Sequence, residues 1–340
     1  MNKIIILIII MVFFVLVYLN LNKLLNLSEL FSGSCNNKLT LINKDKSAKV
    51  IYTINTFNKY NKFDKILRNI GDKDNITYHY ISNLDDWTNY ESKIMKWLTD
   101  GLLEAILPKY IPLFCNTYIA KYKDGIEVDF PHTNMNTIFV TGRFINLITK
   151  YYNNNDLYGC ISDVGSVITH ELVHIWQRRD VDFFNKLYEN WGFKYYPKIY
   201  NTTNLEDTNR YNPDGVTLNW VFTCPKSKDL ILPMAIYKDD ASNISNVNLV
   251  GIKLEMIGST PIVPPIIDIN KLSDIDEYNN FFGNLSGNNY HPNELSAEII
   301  SIILTNKILD KLSEKDITKY KTKTKSVSQS KAYKMVEKML

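Results

Sequence analysis

The chain has 340 residues, 45% of them hydrophobic, and a formal net charge of +3 from 39 basic and 36 acidic side chains. This length supports a substantial core in one or two domains, and the near balance of charge gives no electrostatic footing for a nucleic-acid protein. Cys35, Cys115, Cys160 and Cys224 are widely spaced with no CxxC pair, which argues against a cysteine zinc cluster and leaves both bridged and buried free thiols open.

The first predicted element is the unbroken apolar run from Ile4 to Leu19. As a helix its 16 residues span roughly 24 Å, slightly under the ~30 Å hydrocarbon core of a bilayer. Tyr18 and the polar residues after the run can bridge the difference. The run reads as a single-pass anchor, and a cleaved signal peptide is the rival, although no small-residue cleavage site follows directly. Lys3 stands before the run, while Lys23 and Glu29 cancel after it, an asymmetry that orients the remainder away from the cytosol. Five N-x-S/T sequons, at Asn26, Asn75, Asn201, Asn243 and Asn284, fit that side. So asparagine-rich a chain would carry that many by chance.

Residues 24–45 are polar and read as a stalk, 46–318 as the folded domain, and 319–340 as a lysine-rich tail. That tail is a solvated, frayed end or a site for an anionic surface or partner. KVIYTINTF (49–57) reads as a strand, 58–70 as an amphipathic helix ending at Gly71, and ITYHYIS (76–82) as a second strand. Residues 85–107 set Trp87, Ile94, Trp97, Leu98, Leu102, Leu103 and Ile106 at helical spacing, stopped by Pro108. TYIAKY and IEVDF flank Lys-Asp-Gly, a hairpin signal with Asp124-Gly125 at the turn. NTIFVTG (136–142) is a further strand. Residues 200–262 lose helical periodicity and break into LNWVF, LILPMAIY and NLVGIKLEMI, a β-rich insertion. Pro292 opens a helix that runs to Leu312, with Leu295, Ile299, Ile300, Ile303 and Leu304 behind it. The fold class expected from this order is α+β.

GSVITHELVHIWQRRD (165–180) carries the chemistry. On a helix His170 and His174 are four apart, so both rings project from one face about a turn from each other. That spacing suits two imidazole nitrogens on one Zn²⁺, with the Glu171 carboxylate able to reach the ion's water without binding the ion. A third protein ligand is needed. Asp180 lies six residues after His174, where an HExxHxxGxxH/D arrangement would put it. That arrangement needs a glycine at the position held by Gln177, and on a continuing helix Asp180 points away from the histidines. Asp180 is therefore set aside. In HPNELSAEIIS (291–301), Glu294 and Glu298 stand four apart on an otherwise apolar helix, where buried carboxylates need partners. Glu294 as ligand and Glu298 as acceptor from a ligating histidine supply them. Acids facing the helix dipole are the plainer alternative, which suits Glu294 better than Glu298.

HExxH followed by ExxxE on a second helix resembles the gluzincin, or thermolysin-like, zinc metallopeptidases, and NELSAE is similar to the NExxSD and ExxAE forms of their third-ligand helix. The resemblance covers about a tenth of the chain. It implies a zincin-like metallopeptidase domain holding one zinc on His170, His174 and Glu294, with Glu171 as general base and Glu298 in support. The expected activity is hydrolysis of a peptide or protein substrate, with NTIFVTG as the edge strand on which an extended peptide lies. The sequence departs from the family in the 119 residues between His174 and Glu294. The oxyanion-stabilising residue is open among His132, His291, Tyr290 and Arg210. A membrane-anchored binding protein without turnover, and an accidental HELVH in a structural protein, remain as alternatives.

Overall fold

Strand alternation sets up the first sheet. Ile138 and Val140 face the main core, while Phe139 between them faces a smaller cluster with Ala120 and Tyr122. The computed structural model describes residues 35, 38–53, 59–71, 74–201, 203, 205–214, 219–265, 269–283, 290–312 and 328–340, and within them the chain is mixed α+β. Five strands form this sheet: β1 (Thr40–Leu41), β2 (Leu84–Asp85), β3 (Tyr118–Tyr122), β4 (His132–Asn134) and β5 (Thr137–Thr141). β3 pairs in parallel with β1 and β5, β2 lies antiparallel to β3, and β4 forms the edge antiparallel to β5. A second sheet of seven strands comprises β6 (Phe193–Tyr195), β7 (Tyr200–Asn201), β8 (Trp220–Thr223), β9 (Leu230–Tyr237), β10 (Val247–Ile257), β11 (Thr260–Val263) and β12 (Ile269–Lys271). Its order is β6-β8-β9-β10-β11-β7, with β12 on β10. The β-rich character read over 200–262 is thus present.

The α-helices longer than four residues are α1 (Lys44–Tyr52), α2 (Lys62–Leu67), α3 (Ile76–Ser82), α4 (Asn89–Ala105), α5 (Gly142–Asn153), α6 (Ser166–Arg179), α7 (Val181–Asn190), α8 (Asp276–Phe282), α9 (Pro292–Leu312) and α10 (Lys331–Met339). Side chains from α4, α5, α6, α9 and α10, among them Leu98, Ile148, Ile168, Ile300 and Val336, meet in one core against the first sheet. Helices α6 and α9 lie antiparallel within it. Thr169 Oγ1 meets Thr305 Oγ1 at 3.0 Å at one end, and Gln177 reaches Asn293 and Ser296 at the other. The extent of α4 and α9 agrees with the apolar spacing, and a Thr88–Glu91 capping box starts α4.

Several elements differ from the sequence expectation. KVIYTINTF is no strand over its described part: Asn43 accepts from the Lys46 amide and starts α1. ITYHYIS is likewise helical, because Asn75 accepts from the Tyr78 amide and starts α3. In both, an asparagine cap satisfies a free helix donor and outweighs β-propensity. The helix read over 58–70 is confined to α2, behind an Asn61–Asp64 capping box.

The expected hairpin also fails. After Gly125 (φ 91°), Glu127, Val128 and Asp129 all take positive φ, so IEVDF coils into a 3-10 turn rather than a returning strand. β5 pairs instead with β4, which places NTIFVTG inside the sheet and gives the edge to β4. Residues 38–45, read as the end of a stalk, carry β1 and the start of α1. The last residues of the lysine-rich tail form α10, which buries Ala332, Tyr333 and Val336. The apolar run Ile4–Leu19 lies outside the described residues, among which no helix is long and apolar enough to cross a membrane. Cys35 and Cys115 form a disulfide, with Cα atoms 5.1 Å apart, while Cys160 and Cys224 are buried free thiols.

Candidate metal centre

Helix α6 follows a π-helical turn at Ile161–Gly165 and is buried from Ile168 to Gln177. Such burial on all sides suits HELVH only if its polar groups find partners. His170 and His174 find each other and Glu294. Their Nε2 atoms are 3.1 Å apart, and each lies 3.5 Å from a Glu294 carboxylate oxygen. All three residues are at least nine-tenths buried.

The far nitrogens of the rings are also held. His174 Nδ1 lies 2.9 Å from Gln177 Oε1, which can only accept, so Nδ1 donates and Nε2 keeps its lone pair toward Glu294. Gln177 is itself fixed, donating to Asn293 O at 2.7 Å and Ser296 Oγ at 2.9 Å. His170 Nδ1 faces Glu298 Oε2 at 3.5 Å. The structure therefore brings together all five residues singled out: His170, Glu171, His174, Glu294 and Glu298.

The donor set fits zinc. Ligand bonds of about 2.0–2.2 Å at tetrahedral angles hold neighbouring donor atoms about 3.3–3.5 Å apart, close to the 3.1 Å between the two Nε2 atoms and the 3.5 Å from each to its own Glu294 oxygen. Among the described residues, His170, His174 and Glu294 offer two nitrogens and a carboxylate as one possible donor set. Glu171 adds an orphan: its Oε2 is buried with no hydrogen-bonding partner among the described residues. Burial, followed by the charge of Asp214, raises the Glu171 pKa well above the usual carboxylate range. Burial opposes ionisation of Glu294 too, but the facing histidines hold its pKa down. His170 is raised, its burial outweighed by Glu294 and Glu298, whereas burial lowers His174.

A third segment, 209–214, completes the site and was recognised from sequence only at Arg210. Asn212 Nδ2 donates to Glu294 Oε1 at 2.6 Å and to the Tyr290 hydroxyl at 3.2 Å. Arg210 Nη2 donates to the same hydroxyl at 3.2 Å. The Asp214 carboxylate accepts from the Thr133 amide at 2.6 Å and from Thr133 Oγ1 at 2.9 Å. Ligand atoms of Asp214, Glu171 and His174 lie within 4.8 Å of one another. The outward donor of the edge strand at Thr133 is thus already engaged by Asp214. The one sequence signal for this segment was its run of polar residues, RYNPDG, inside a β-rich stretch.

The remaining candidates separate cleanly. His132 pairs opposite Phe139 and stacks with it and Tyr122, which puts it on the sheet face away from Ile138 and Val140. His291 is fully buried and its Nδ1 accepts from the Asn293 amide at the start of α9. Tyr290 is linked to Glu294 through Asn212, and Arg210 donates to the Tyr290 hydroxyl. Asp180 caps α7 through the Phe183 amide, which accounts for it without a metal. Comparisons with protein-family models, curated proteins and solved structures give no match for this chain.

Proposed function

We propose that this chain is a zinc-dependent metallopeptidase held at a membrane by residues 4–19, with its catalytic part on the non-cytosolic side. The observation that carries the catalytic reading is the cluster of His170 Nε2 and His174 Nε2, 3.1 Å apart, with the two Glu294 oxygens, Oε2 3.5 Å from His170 and Oε1 3.5 Å from His174, beside a buried Glu171 oxygen with no hydrogen-bonding partner among the described residues. His170, His174 and Glu294 would hold a zinc ion there, and it would supply Lewis-acid chemistry and make a water easier to deprotonate.

The protein's own groups do the remainder. Glu171 takes a proton from the attacking water and returns it to the departing amine, so the carboxylate is regenerated and the amide C–N bond is broken. Its burial and the neighbouring Asp214 charge favour accepting that proton. Gln177 and Glu298 orient the two histidines, and Asn212 holds one oxygen of Glu294. Tyr290 accepts from Arg210 and Asn212 and keeps its own proton, with burial pushing its pKa up to about 12. Tyr290 and Arg210 are therefore the donors for the developing oxyanion. The apolar run Ile4–Leu19 and the Cys35–Cys115 bridge, which forms in oxidising compartments, support the location.

The test is Glu171→Gln in the full-length chain, assayed on a peptide library. It is expected to keep its metal and to lose about 10²–10⁴-fold in rate. Equal activity in the variant removes Glu171 from the mechanism. Zinc binding without hydrolysis in the wild type favours the non-catalytic binding protein.

A further inference from the structure

We propose that Asp64 and Arg68, remote in sequence from HELVH and NELSAE, are positioning residues for the metal centre and act through the 209–212 segment. This rests on the metal reading above. Segment 209–212 runs between two layers. Its backbone faces α2: Asn61 Nδ2 donates to Asn209 O at 2.7 Å, the Tyr211 amide donates to Asp64 Oδ1 at 3.1 Å, and Arg68 Nη2 donates to Tyr211 O at 3.0 Å. The alternating side chains Arg210 and Asn212 face the other way, onto Tyr290 and Glu294. The Arg210 amide is also fixed, to Ala235 O of β9 at 2.8 Å. Shifting the Tyr211 peptide therefore shifts the amide that holds the carboxylate ligand.

The anchor is built for rigidity. Asp64 and Arg68 are buried and paired at 2.9 Å. Arg68 also donates to Glu127 at 2.8 Å and covers the Tyr60 ring, and the Tyr237 hydroxyl donates to Asp64 at 2.8 Å. Burying two charges costs desolvation that their attraction roughly offsets, so the pair is poorly explained as a source of stability. What it does supply is one geometry, since the guanidinium and carboxylate leave Tyr211 a single place.

Metal affinity reads this out. Zinc affinity of the full-length chain is measured by competition with a chromophoric chelator, alongside thermal unfolding of the metal-free protein. Asp64→Ala and Arg68→Met are each expected to weaken zinc about 10–100-fold, as loss of outer-shell support does. Asn61→Ser keeps an N-cap oxygen but loses the bond to Asn209, and is expected to weaken zinc a few-fold. Ile148→Ala, a core truncation on α5, is the control, expected to lower the melting temperature and leave affinity unchanged. Wild-type affinity in Asp64→Ala and Arg68→Met, or an equal loss in Ile148→Ala, overturns the positioning role alone. Where those two variants do not fold, wild-type affinity in Asn61→Ser overturns it. A wild-type chain that takes up no zinc overturns the metal reading and this inference together.

Discussion

Gln177 shows how one residue can carry two messages. In sequence it marked only the lack of a helix-ending glycine, whereas in the fold its amide oxygen sets the tautomer of His174. Gln177→Leu removes that acceptor, and zinc affinity measured by chelator competition is expected to fall about 10–100-fold. Glu171 gives a pH-dependent expectation for the metal-free protein. Its folded-state pKa is raised, so its carboxyl costs nothing while protonated in both states. It destabilises the fold as pH rises above the ordinary carboxylate value toward the raised one. Metal-free Glu171→Gln should therefore melt above wild type at neutral pH, with the difference closing in acid. The HELVH and NELSAE residues were legible because i,i+4 spacing projects onto one helix face. Asn212 and Asp214 were not, because they reach the site from an irregular segment whose placement depends on α2.

The two long helices were equally legible: apolar spacing read over 85–107, and Pro292 with the spacing behind it, agree with helices of 17 and 21 residues, although the Thr88 cap that starts the first was not read. Short elements fared worse. ITYHYIS alternates like a strand, yet Asn75 caps it into α3. Asn75→Ala is expected to cost about 0.5–2 kcal/mol in urea unfolding, a loss without explanation if that segment were a strand. The antiparallel pairing of α6 and α9 rests partly on Thr169 and Thr305, which meet in the core at 3.0 Å. Thr169→Val strands the buried Thr305 hydroxyl and should cost about 1–3 kcal/mol, whereas after Thr305→Val the Thr169 hydroxyl still donates to Ser166 O at 2.9 Å and the loss should be smaller. The double change should cost less than the sum. Additive losses would mean the hydroxyls do not share a bond.

Across the whole molecule, composition and order of elements were enough for α+β. They were not enough for strand order, because pairing β3 with β5 and giving β4 the edge depends on the coiled turn at Glu127–Asp129. Nor could spacing show which cysteines pair. Thiol titration of the denatured, unreduced chain is expected to give two groups, Cys160 and Cys224, and four after reduction. In the native protein Cys160 should react slowly, since burial pushes its pKa up to about 12. If residues 4–19 anchor the chain, the protein remains with membranes through alkaline carbonate washing. The proposed function requires that helices α6 and α9, with the 209–214 segment against them, hold one metal ion. Elemental analysis of the dialysed full-length protein addresses it directly. Close to one equivalent of zinc is expected in the wild type, with strong loss in His174→Ala and in Glu294→Ala. Metal content that is absent from the wild type, or unchanged in both variants, would contradict it.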